Sequence, residues 1–231
     1  MGSSELHKLL ARTWIFSELT DKEVDGLATI AQVRVAKPKQ TVVEKGAPAE
    51  HVFAVLRGRL KVLIPGVEHD TAFRILGPGD LIGEISAFDG QPRSAAVQAI
   101  ELCQLAVIDL RDFHSFLRAH SQVNQKLLAA LARRIRELSE RVEDRASLSV
   151  RARLAKCLVG LADRYGRETP EGHVSELRLS QAELGNLVDA TRECVNKVLR
   201  AWRAQRVVTH EPERIVVHDM VALRAIADRR N

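Results

Sequence analysis

The chain has 231 residues, of which 45% are hydrophobic and 28% are charged, and these proportions exclude a wholly disordered or fibrous protein. The net charge of +5 is concentrated in residues 146–231, which hold 15 basic and 11 acidic side chains, so a polyanionic partner is expected to bind there. No apolar stretch approaches the roughly 20 residues of a membrane-spanning helix, and Leu9–Phe16 lacks the features of a secretory signal, so we expect a cytoplasmic protein that binds no membrane.

Short apolar segments separated by turn residues fill the first half of the chain. Seven of the 13 glycines and five of the seven prolines lie between Pro38 and Pro92. Such spacing of strands and turns predicts an antiparallel β-roll or jelly roll. Ahead of it, Thr20 and Glu23 have the spacing of a capping box and predict a short helix. The expected strands are Thr41–Val43, Val52–Leu56, Leu60–Ile64, Thr71–Leu76, Leu81–Ile82, Ala95–Ala99 and Cys103–Ile108.

Helices follow, because residues 93–159 contain neither glycine nor proline and the strand-like alternation stops after Ile108. One helix is expected from Asp109 or Leu110 to about Ala119, and a longer one from about Gln122 to Asp144. Apolar residues of the longer helix recur at spacings of 3, 4, 3 and 4, the seam of a coiled coil, which predicts a homodimer. The alternative is a helix that packs on its own subunit. The seam residues are Leu128, Leu131, Ile135, Leu138 and Val142.

A second domain begins near residues 144–149. Its expected elements are a helix at Val150–Tyr165 capped by Gly166, a polar loop at Arg167–Gly172, a strand at Val174–Leu179, two short helices, a hairpin of Arg206–Thr209 with Arg214–Val217, and a helix from Asp219. The fold class is therefore α+β. It comprises an N-terminal β-roll (residues 1–120), a long dimerisation helix with a hinge (121–148) and a C-terminal winged helix-turn-helix domain (149–231).

The segment Ile82–Ala96 carries the most specific signal of the first domain. A glycine and Glu84 open it, an Asp-Gly bend follows, and a Pro-Arg-Ser-Ala-Ala run leads into a strand. Arg93 offers a forked cation for two phosphate oxygens, Ser94 adds a hydroxyl, and Glu84 can accept from a sugar hydroxyl. The alternative is that Glu84 and Arg93 form only an ion pair within the domain.

The segment Leu179–Leu199 is typical of two short helices joined by a turn. Ser180, with Glu183 three residues later, predicts the start of the first helix, and Thr191 predicts the start of the second. The second helix has a polar face whose groups can read base edges in the major groove of DNA. The alternative is a charged face that only contacts solvent. The polar face consists of Arg192, Glu193, Asn196, Lys197 and Arg200.

Together these two segments closely resemble the phosphate-binding cassette and the helix-turn-helix of the CRP/FNR family of bacterial transcription regulators. The resemblance implies that Glu84 binds the ribose 2′-hydroxyl of cyclic AMP or cyclic GMP, and that Arg93 and Ser94 hold the cyclic phosphate. The family's Thr-Ser pair for adenine aligns with Leu138 and Ser139, so one hydroxyl is missing and the choice of nucleotide stays open. The implied ligand contacts are Phe73, Leu76, Gly83, Glu84, Ile85, Ser86, Arg93, Ser94, Ala95, Leu138 and Ser139.

The resemblance also assigns the DNA contacts. Arg192 and Glu193 match the family's recognition helix, and Lys197 stands where a second cation is usual. Asp189 occupies a turn position that is usually glycine, and Asp tolerates the left-handed conformation better than most residues. The resemblance implies TGTGA-like half-sites about 34 Å apart, and RNA polymerase as a further partner. The implied DNA contacts are Ser180, Gln181, Thr191, Arg192, Glu193, Asn196, Lys197 and Arg200.

The expected function is that of a homodimeric transcription factor whose DNA binding is switched by a cyclic nucleotide. One alternative keeps the DNA binding but makes the sensor domain independent of ligand or gives it a different ligand. An enzyme is not expected, because the sequence has no metal-ligating His/Asp cluster, no nucleophile with a nearby base and no P-loop. No metal site or disulfide is expected either, because Cys103, Cys157 and Cys194 are far apart in the sequence.

Overall fold

A long helix, Ser121–Ser147, runs through the middle of the chain in the computed structural model. The structure describes residues 2–64, 71–175, 177, 179–211 and 214–228, and of Ser3, Thr71 and Phe73 it describes the backbone alone. The chain divides into two compact units, Met1–Arg134 and Ile135–Asn231. This division falls inside the long helix, and the domain boundaries expected near residues 120 and 148 stay a prediction.

Eight strands of the first unit form two antiparallel sheets. They are β1 (Ala31–Ala36), β2 (Thr41–Val43), β3 (His51–Arg57), β4 (Leu60–Ile64), β5 (Thr71–Leu76), β6 (Leu81–Ile82), β7 (Ala96–Ala99) and β8 (Cys103–Asp109). One sheet has the strand order β1-β8-β3-β6 and the other has the order β2-β7-β4-β5. The predicted β-roll is confirmed.

Helices of the first unit, with the start of the long helix, pack on the outer face of the first sheet. They are α1 (Ser3–Ala11), a 3-10 turn (Trp14–Phe16), α2 (Asp21–Ile30), α3 (Glu84–Asp89), α4 (Leu110–Ala119) and α5 (Ser121–Ser147). The predicted capping box is present at the start of α2, where the Glu23 N–H donates to Thr20 Oγ1 at 3.4 Å and the Thr20 N–H donates to Glu23 Oε2 at 2.7 Å. Both predicted helices that follow the sheets, α4 and α5, are confirmed.

Strand β3 is buried on both faces, which explains its unbroken apolar run from Val52 to Leu56. Successive side chains of a strand point to opposite faces of the sheet. Val52, Ala54 and Leu56 accordingly pack in the cluster that includes the helices. Phe53 and Val55 pack between the two sheets. The second of these cores forms one side of the cavity described below.

Strand β1 is not among the predicted strands. Its polar residues Gln32 and Arg34 alternate with Val33 and Val35, and Val35 is 51% exposed. The strand is defined by its antiparallel pairing with β8 over six residues, from Ala31 opposite Ile108 to Ala36 opposite Cys103. A weakly apolar edge strand of this kind depends on its partner and gives little local signal.

The second unit contains the end of α5, four further helices and one small sheet. Its elements are α6 (Val150–Tyr165), β9 (Arg167–Thr169), β10 (Gly172–Ser175), α7 (Gln181–Leu187), α8 (Arg192–Ala204), β11 (Val208–His210), β12 (Ile215–Val217) and α9 (Met220–Ala227). The sheet has the order β11-β12-β10-β9 and is antiparallel. No helix among the described residues is both long enough and apolar enough to cross a membrane.

Two predictions for the second unit are wrong. The segment Arg167–Gly172 is not a polar loop, because Arg167–Thr169 forms the edge strand β9, paired with β10. Its polar side chains are compatible with an edge that faces solvent. Leu177 and Leu179 do not continue a strand from Val174, because β10 ends at Ser175. Both leucines are fully buried, so their apolar character reflects core packing and not strand pairing.

Candidate functional site

A buried guanidinium lies in the wall of a cavity in the first unit. Arg93 is 6% exposed and donates hydrogen bonds to the backbone carbonyls of Gly83, at 3.3 Å, and of His51. Burial lowers its pKa, and the charge of Glu84 raises it. Among the residues that the structure describes, no carboxylate forms an ion pair with Arg93. A buried charge without a counter-ion is costly, so this position favours the binding of an anion.

The backbone on both sides of the cavity fixes the position of Arg93. The Arg93 N–H donates to Ala47 O at 2.9 Å, and the Arg93 carbonyl accepts from the Gly46 N–H at 2.8 Å. Gly83, between β6 and α3, has a φ of +90°, and an added Cβ there would lie 2.0 Å from Arg93 Nη1. Only glycine combines this backbone conformation with the space that the guanidinium needs.

Glu84, the first residue of α3, is also buried, at 8% exposure. Its carboxylate forms an ion pair with Arg134 of α5. The alternative prediction is an ion pair between Glu84 and Arg93. The structure instead pairs Glu84 with Arg134. Glu84 and the two arginines are the charged residues of the cavity wall. Together they leave the cavity with one net positive charge.

Most of the predicted ligand contacts line this cavity. The side chain of Phe73 lies outside the described residues, although its backbone belongs to β5. Leu138 and Ser139 belong to α5 in the second unit, and the Ser139 hydroxyl donates to Ile135 O at 3.1 Å. Their contact with a base stays a prediction. The cavity is lined by Val43, Val62, Leu76, Leu81, Ile82, Gly83, Glu84, Ile85, Ser86, Arg93, Ser94, Ala95, Val97 and Arg134.

Helices α7 and α8 of the second unit form a helix-turn-helix. Ser180 caps α7 as predicted, because its hydroxyl accepts from the Glu183 N–H at 3.2 Å and its N–H donates to Glu183 Oε2 at 2.8 Å. The turn folds so closely against α7 that a Cβ on Gly185 would lie 2.5 Å from the Ala190 carbonyl. Asp189 has a φ of 51°. The left-handed conformation predicted for Asp189 is therefore confirmed.

Helix α8 has one buried face and one exposed face. Val195, Leu199 and Trp202 are buried, and Thr191 Oγ1 caps the helix by accepting from the Cys194 N–H at 3.3 Å. Hydrogen bonds from its own backbone N–H and from Thr191 lower the pKa of Glu193, so it is an ionised acceptor at neutral pH. Of the predicted DNA contacts, Gln181 and Asn196 are half-buried, and those that are exposed are Ser180, Thr191, Arg192, Glu193, Lys197 and Arg200.

Comparison with known proteins identifies two domain families in the chain. Residues 33–120 match the cyclic nucleotide-binding domain family, and residues 152–226 match the Crp-like helix-turn-helix domain family. The cAMP-activated global transcriptional regulator CRP of Escherichia coli O157:H7 is 30% identical over 202 residues, which are 86% of this chain and 95% of that protein. The chain belongs to the CRP/FNR family. It is a transcription regulator and not an enzyme.

Solved structures of CRP/FNR regulators share the fold. FixK2 from Bradyrhizobium japonicum has a TM-score of 0.75 at 18% identity, with 87% of this chain and 98% of that chain covered. The c-di-GMP responsive regulator CLP of Xanthomonas campestris has a TM-score of 0.71 at 20% identity, with 87% and 100% covered. At these identities the likeness concerns the fold alone. Among the described residues of this CRP/FNR chain, no cluster of side chains is arranged to hold a metal ion.

Arg134 is the charged cavity residue that sequence reasoning missed. In the sequence it is one of several charged residues that flank the coiled-coil seam of this CRP/FNR regulator, and nothing distinguishes it from Arg133 or Arg136. Its partner Glu84 lies 50 residues earlier in the chain. The charge pattern alone could not identify Arg134. Its position on α5, four residues before Leu138, was the one available signal, because the family resemblance implies that Leu138 contacts the ligand.

The close contact between Gly83 and Arg93 generates a prediction. Gly83→Ala should displace the Arg93 guanidinium and weaken cyclic-nucleotide binding by at least about tenfold, the equivalent of 1.4 kcal/mol. Gly90→Ala is the matched control, because Gly90 also has a positive φ, of 67°, but has no atom within 4 Å of an added Cβ. Isothermal titration with cyclic AMP and cyclic GMP, together with thermal melting, should show destabilisation in both variants and lost binding only in Gly83→Ala. Equal binding by the two variants would contradict the proposed contact.

Proposed function

We propose that this chain is a homodimeric regulator whose binding to palindromic DNA is switched by a cyclic mononucleotide, cyclic AMP or cyclic GMP. The charge of the cavity is the observation that supports the nucleotide most strongly. Arg93 and Arg134 against Glu84 leave one net positive charge, and a cyclic phosphodiester carries one negative charge. Its binding beside Arg93 supplies the counter-ion that the buried guanidinium lacks.

Glu84, Arg93, Ser94 and Arg134 each have a role in this proposal. Arg93 and Ser94 bind the phosphate oxygens, because a guanidinium fork and a neighbouring hydroxyl suit that geometry. Glu84 accepts from the ribose 2′-hydroxyl. Arg134 contacts the same carboxylate, so a ribose hydroxyl that binds Glu84 is proposed to displace Arg134.

The identity of the base is the finer part of the proposal. Leu138 leaves Ser139 as the hydroxyl of the pair that the family uses for adenine. The E. coli relative is named as cAMP-activated, which favours cyclic AMP here. The related regulator CLP is described as responsive to c-di-GMP, so a dinucleotide is the competing ligand. Among the described residues of the cavity wall, Arg93 is the arginine without an ion-pair partner, and one phosphate site favours a mononucleotide.

Removal of the Arg93 charge tests nucleotide binding. Arg93→Gln keeps an N–H donor for the Gly83 or His51 carbonyl but loses the cation. Truncating one partner of a buried charge pair costs about 2–5 kcal/mol, so the dissociation constant should rise at least about 30-fold. Arg111→Gln, which removes an exposed arginine of the same unit, is the control. The measurement is titration calorimetry with cyclic AMP, cyclic GMP and c-di-GMP. Absence of heat with all three for the wild type supports the ligand-independent alternative.

The dimer is proposed from the seam of α5. Along it, Ile135 is 65% exposed and Val142 is 73% exposed, and Leu128 and Leu138 are exposed as well. Leu131 is half-buried. Apolar side chains at heptad spacing that are exposed in the single chain are typical of a helix that packs against a second copy of itself. Burial of these apolar side chains against a second copy of α5 would account for both their heptad spacing and their exposure in the single chain.

Charge at the seam tests the dimer. Ile135→Lys places a cation at a core position of the proposed coiled coil and should shift the protein from dimer to monomer at micromolar concentration, because an unpaired buried charge is costly. Glu137→Lys introduces the same side chain two residues later, off the seam, and should leave the dimer intact. Sedimentation velocity measures both. A wild-type monomer, or a dimeric Ile135→Lys variant, would show that the seam packs elsewhere.

DNA binding is shown by family membership, and the contacts of individual residues are proposed. Arg192 and Glu193 lie in the first turn of α8, where a recognition helix reaches base edges. Lys197 is exposed on the same helix and is proposed to contact phosphate. A two-fold symmetric operator with TGTGA-like half-sites follows from the proposed dimer. RNA polymerase is the proposed further partner, and the cytoplasm is the proposed place of action.

Arg192→Ala and Lys197→Ala should differ in specificity. Loss of an arginine that contacts a base costs about 1–3 kcal/mol on the operator and relaxes discrimination at one base pair. Loss of a phosphate contact weakens binding to all sequences alike and reduces the salt dependence. Fluorescence anisotropy with an inverted-repeat duplex, single-base variants of it and a random duplex measures both effects. Equal loss on the specific and random duplexes for Arg192→Ala would remove its role in base recognition.

A further inference from the structure

Three successive backbone carbonyls at the end of α7 accept hydrogen bonds from two arginines of other helices. Arg141 of α5 donates to Leu187 O at 3.1 Å. Arg153 of α6 donates from Nε to Val188 O at 2.9 Å and from Nη2 to Asp189 O at 3.2 Å. The last carbonyls of a helix lack partners within the helix, and cations are favourable at that end. The turn that precedes α8 is thereby attached to α5 and α6.

Arg153 also reaches the connection between α5 and α6. Its Nη1 donates to Leu148 O at 2.8 Å, and Leu148 lies between the end of α5 at Ser147 and the cap of α6 at Ser149. One planar guanidinium thus joins this connection to the turn of the helix-turn-helix. A lysine, with a single ammonium group at the end of a flexible stem, cannot reproduce the same three directions.

The end of α5 is attached to α6 by a second contact. Lys156 Nζ lies 2.7 Å from Asp144 Oδ2 and 3.9 Å from Glu140 Oε2. Arg141, Asp144 and Leu148 therefore all hold the end of α5 within the second unit, to which α7 and α8 also belong. The start of the recognition helix is positioned by side chains of α5 and α6, in addition to its own packing.

We propose that Arg141 and Arg153 are positioning residues that couple α5 to the orientation of α8. They act as a clamp on the turn at Leu187–Asp189, so that a displacement of α5 changes the presentation of Arg192 and Glu193 to DNA. This inference rests on the proposed function, because it concerns how a nucleotide signal reaches the DNA-binding surface. A role in helix capping alone would affect stability and leave the dependence of DNA binding on nucleotide unchanged.

The test compares Arg141→Met, Arg141→Lys, Arg153→Lys and the control Arg145→Met in the full chain. Arg145 is exposed on the same helix, so its loss controls for charge. The DNA dissociation constant is measured by anisotropy on a 30-base-pair inverted repeat of TGTGA, with and without saturating cyclic AMP. The ratio of the two constants in the wild type is expected within about 5–150. Nucleotide affinity and melting temperature are measured in parallel.

Arg141→Met should reduce this ratio to below about one-fifth of the wild-type value, with nucleotide affinity within about twofold, a change of less than about 0.5 kcal/mol. Arg141→Lys should restore the ratio, because one ammonium can still donate to Leu187 O. Arg153→Lys should reduce it, because Lys cannot make three divergent bonds. An unchanged ratio in Arg141→Met, or an equal reduction in Arg145→Met, would overturn the clamp.

If cyclic AMP does not change the DNA affinity of the wild-type protein, the proposed switch is contradicted. The clamp is then tested independently by hydrogen exchange. Exchange of the Cys194 and Val195 amides, which donate to Thr191 in the first turn of α8, should be faster by at least about fivefold in Arg141→Met, which corresponds to about 1 kcal/mol of lost protection. The same amides should exchange at the wild-type rate in Arg145→Met and Arg141→Lys. Equal rates in Arg141→Met and Arg145→Met would overturn the clamp.

Discussion

The burial of the Arg93 guanidinium is the constraint on which the proposed ligand site of the first unit depends. Moving a charge from water into a protein interior costs several kcal/mol even after relaxation. The carbonyls of Gly83 and His51 offset part of this cost, but they carry only partial charges. The positive charge that the carbonyls do not offset acts on the cavity. There it would stabilise an anion without any movement of the Arg93 side chain. The proposed affinity for a phosphate therefore originates in the fold, which keeps the cation buried.

The environment of Glu84 determines how such an anion changes the protein. Its carboxylate is paired with Arg134, so in the proposed complex a ribose hydroxyl and an arginine of α5 would compete for the same oxygens. Arg134 is the last residue of the first unit, and Ile135 is the first of the second. A ligand that changes the contact of Arg134 acts on the helix that both units share. Differential contact of this kind is what a ligand needs in order to shift a conformational equilibrium.

Local sequence signals predicted most of the fold. The elements that were not predicted depend on pairing between residues far apart in the chain. Capping boxes at Thr20 and Ser180 and the left-handed turn at Asp189 are each encoded within a few residues, and the structure contains all of them. Strands β1 and β9 are defined by their partners, so their polar sequences do not reveal them. The pairing of Arg134 with Glu84 depends on how α5 packs on the sandwich. Periodicity predicts which face of a helix is apolar but not which distant carboxylate its flanking arginines meet.

The unbroken length of α5 has a functional explanation in the same terms. Arg134 and Arg141 are seven residues apart, which is about two turns and roughly 10 Å along a helix of 1.5 Å rise per residue. Residues seven apart lie on nearly the same face, so a rotation or a shift of the helix moves both guanidiniums together. Transmission between them needs only intact backbone hydrogen bonds. The absence of glycine and proline from residues 93–159 keeps those bonds uninterrupted, because either residue lowers helix stability and proline also removes a donor.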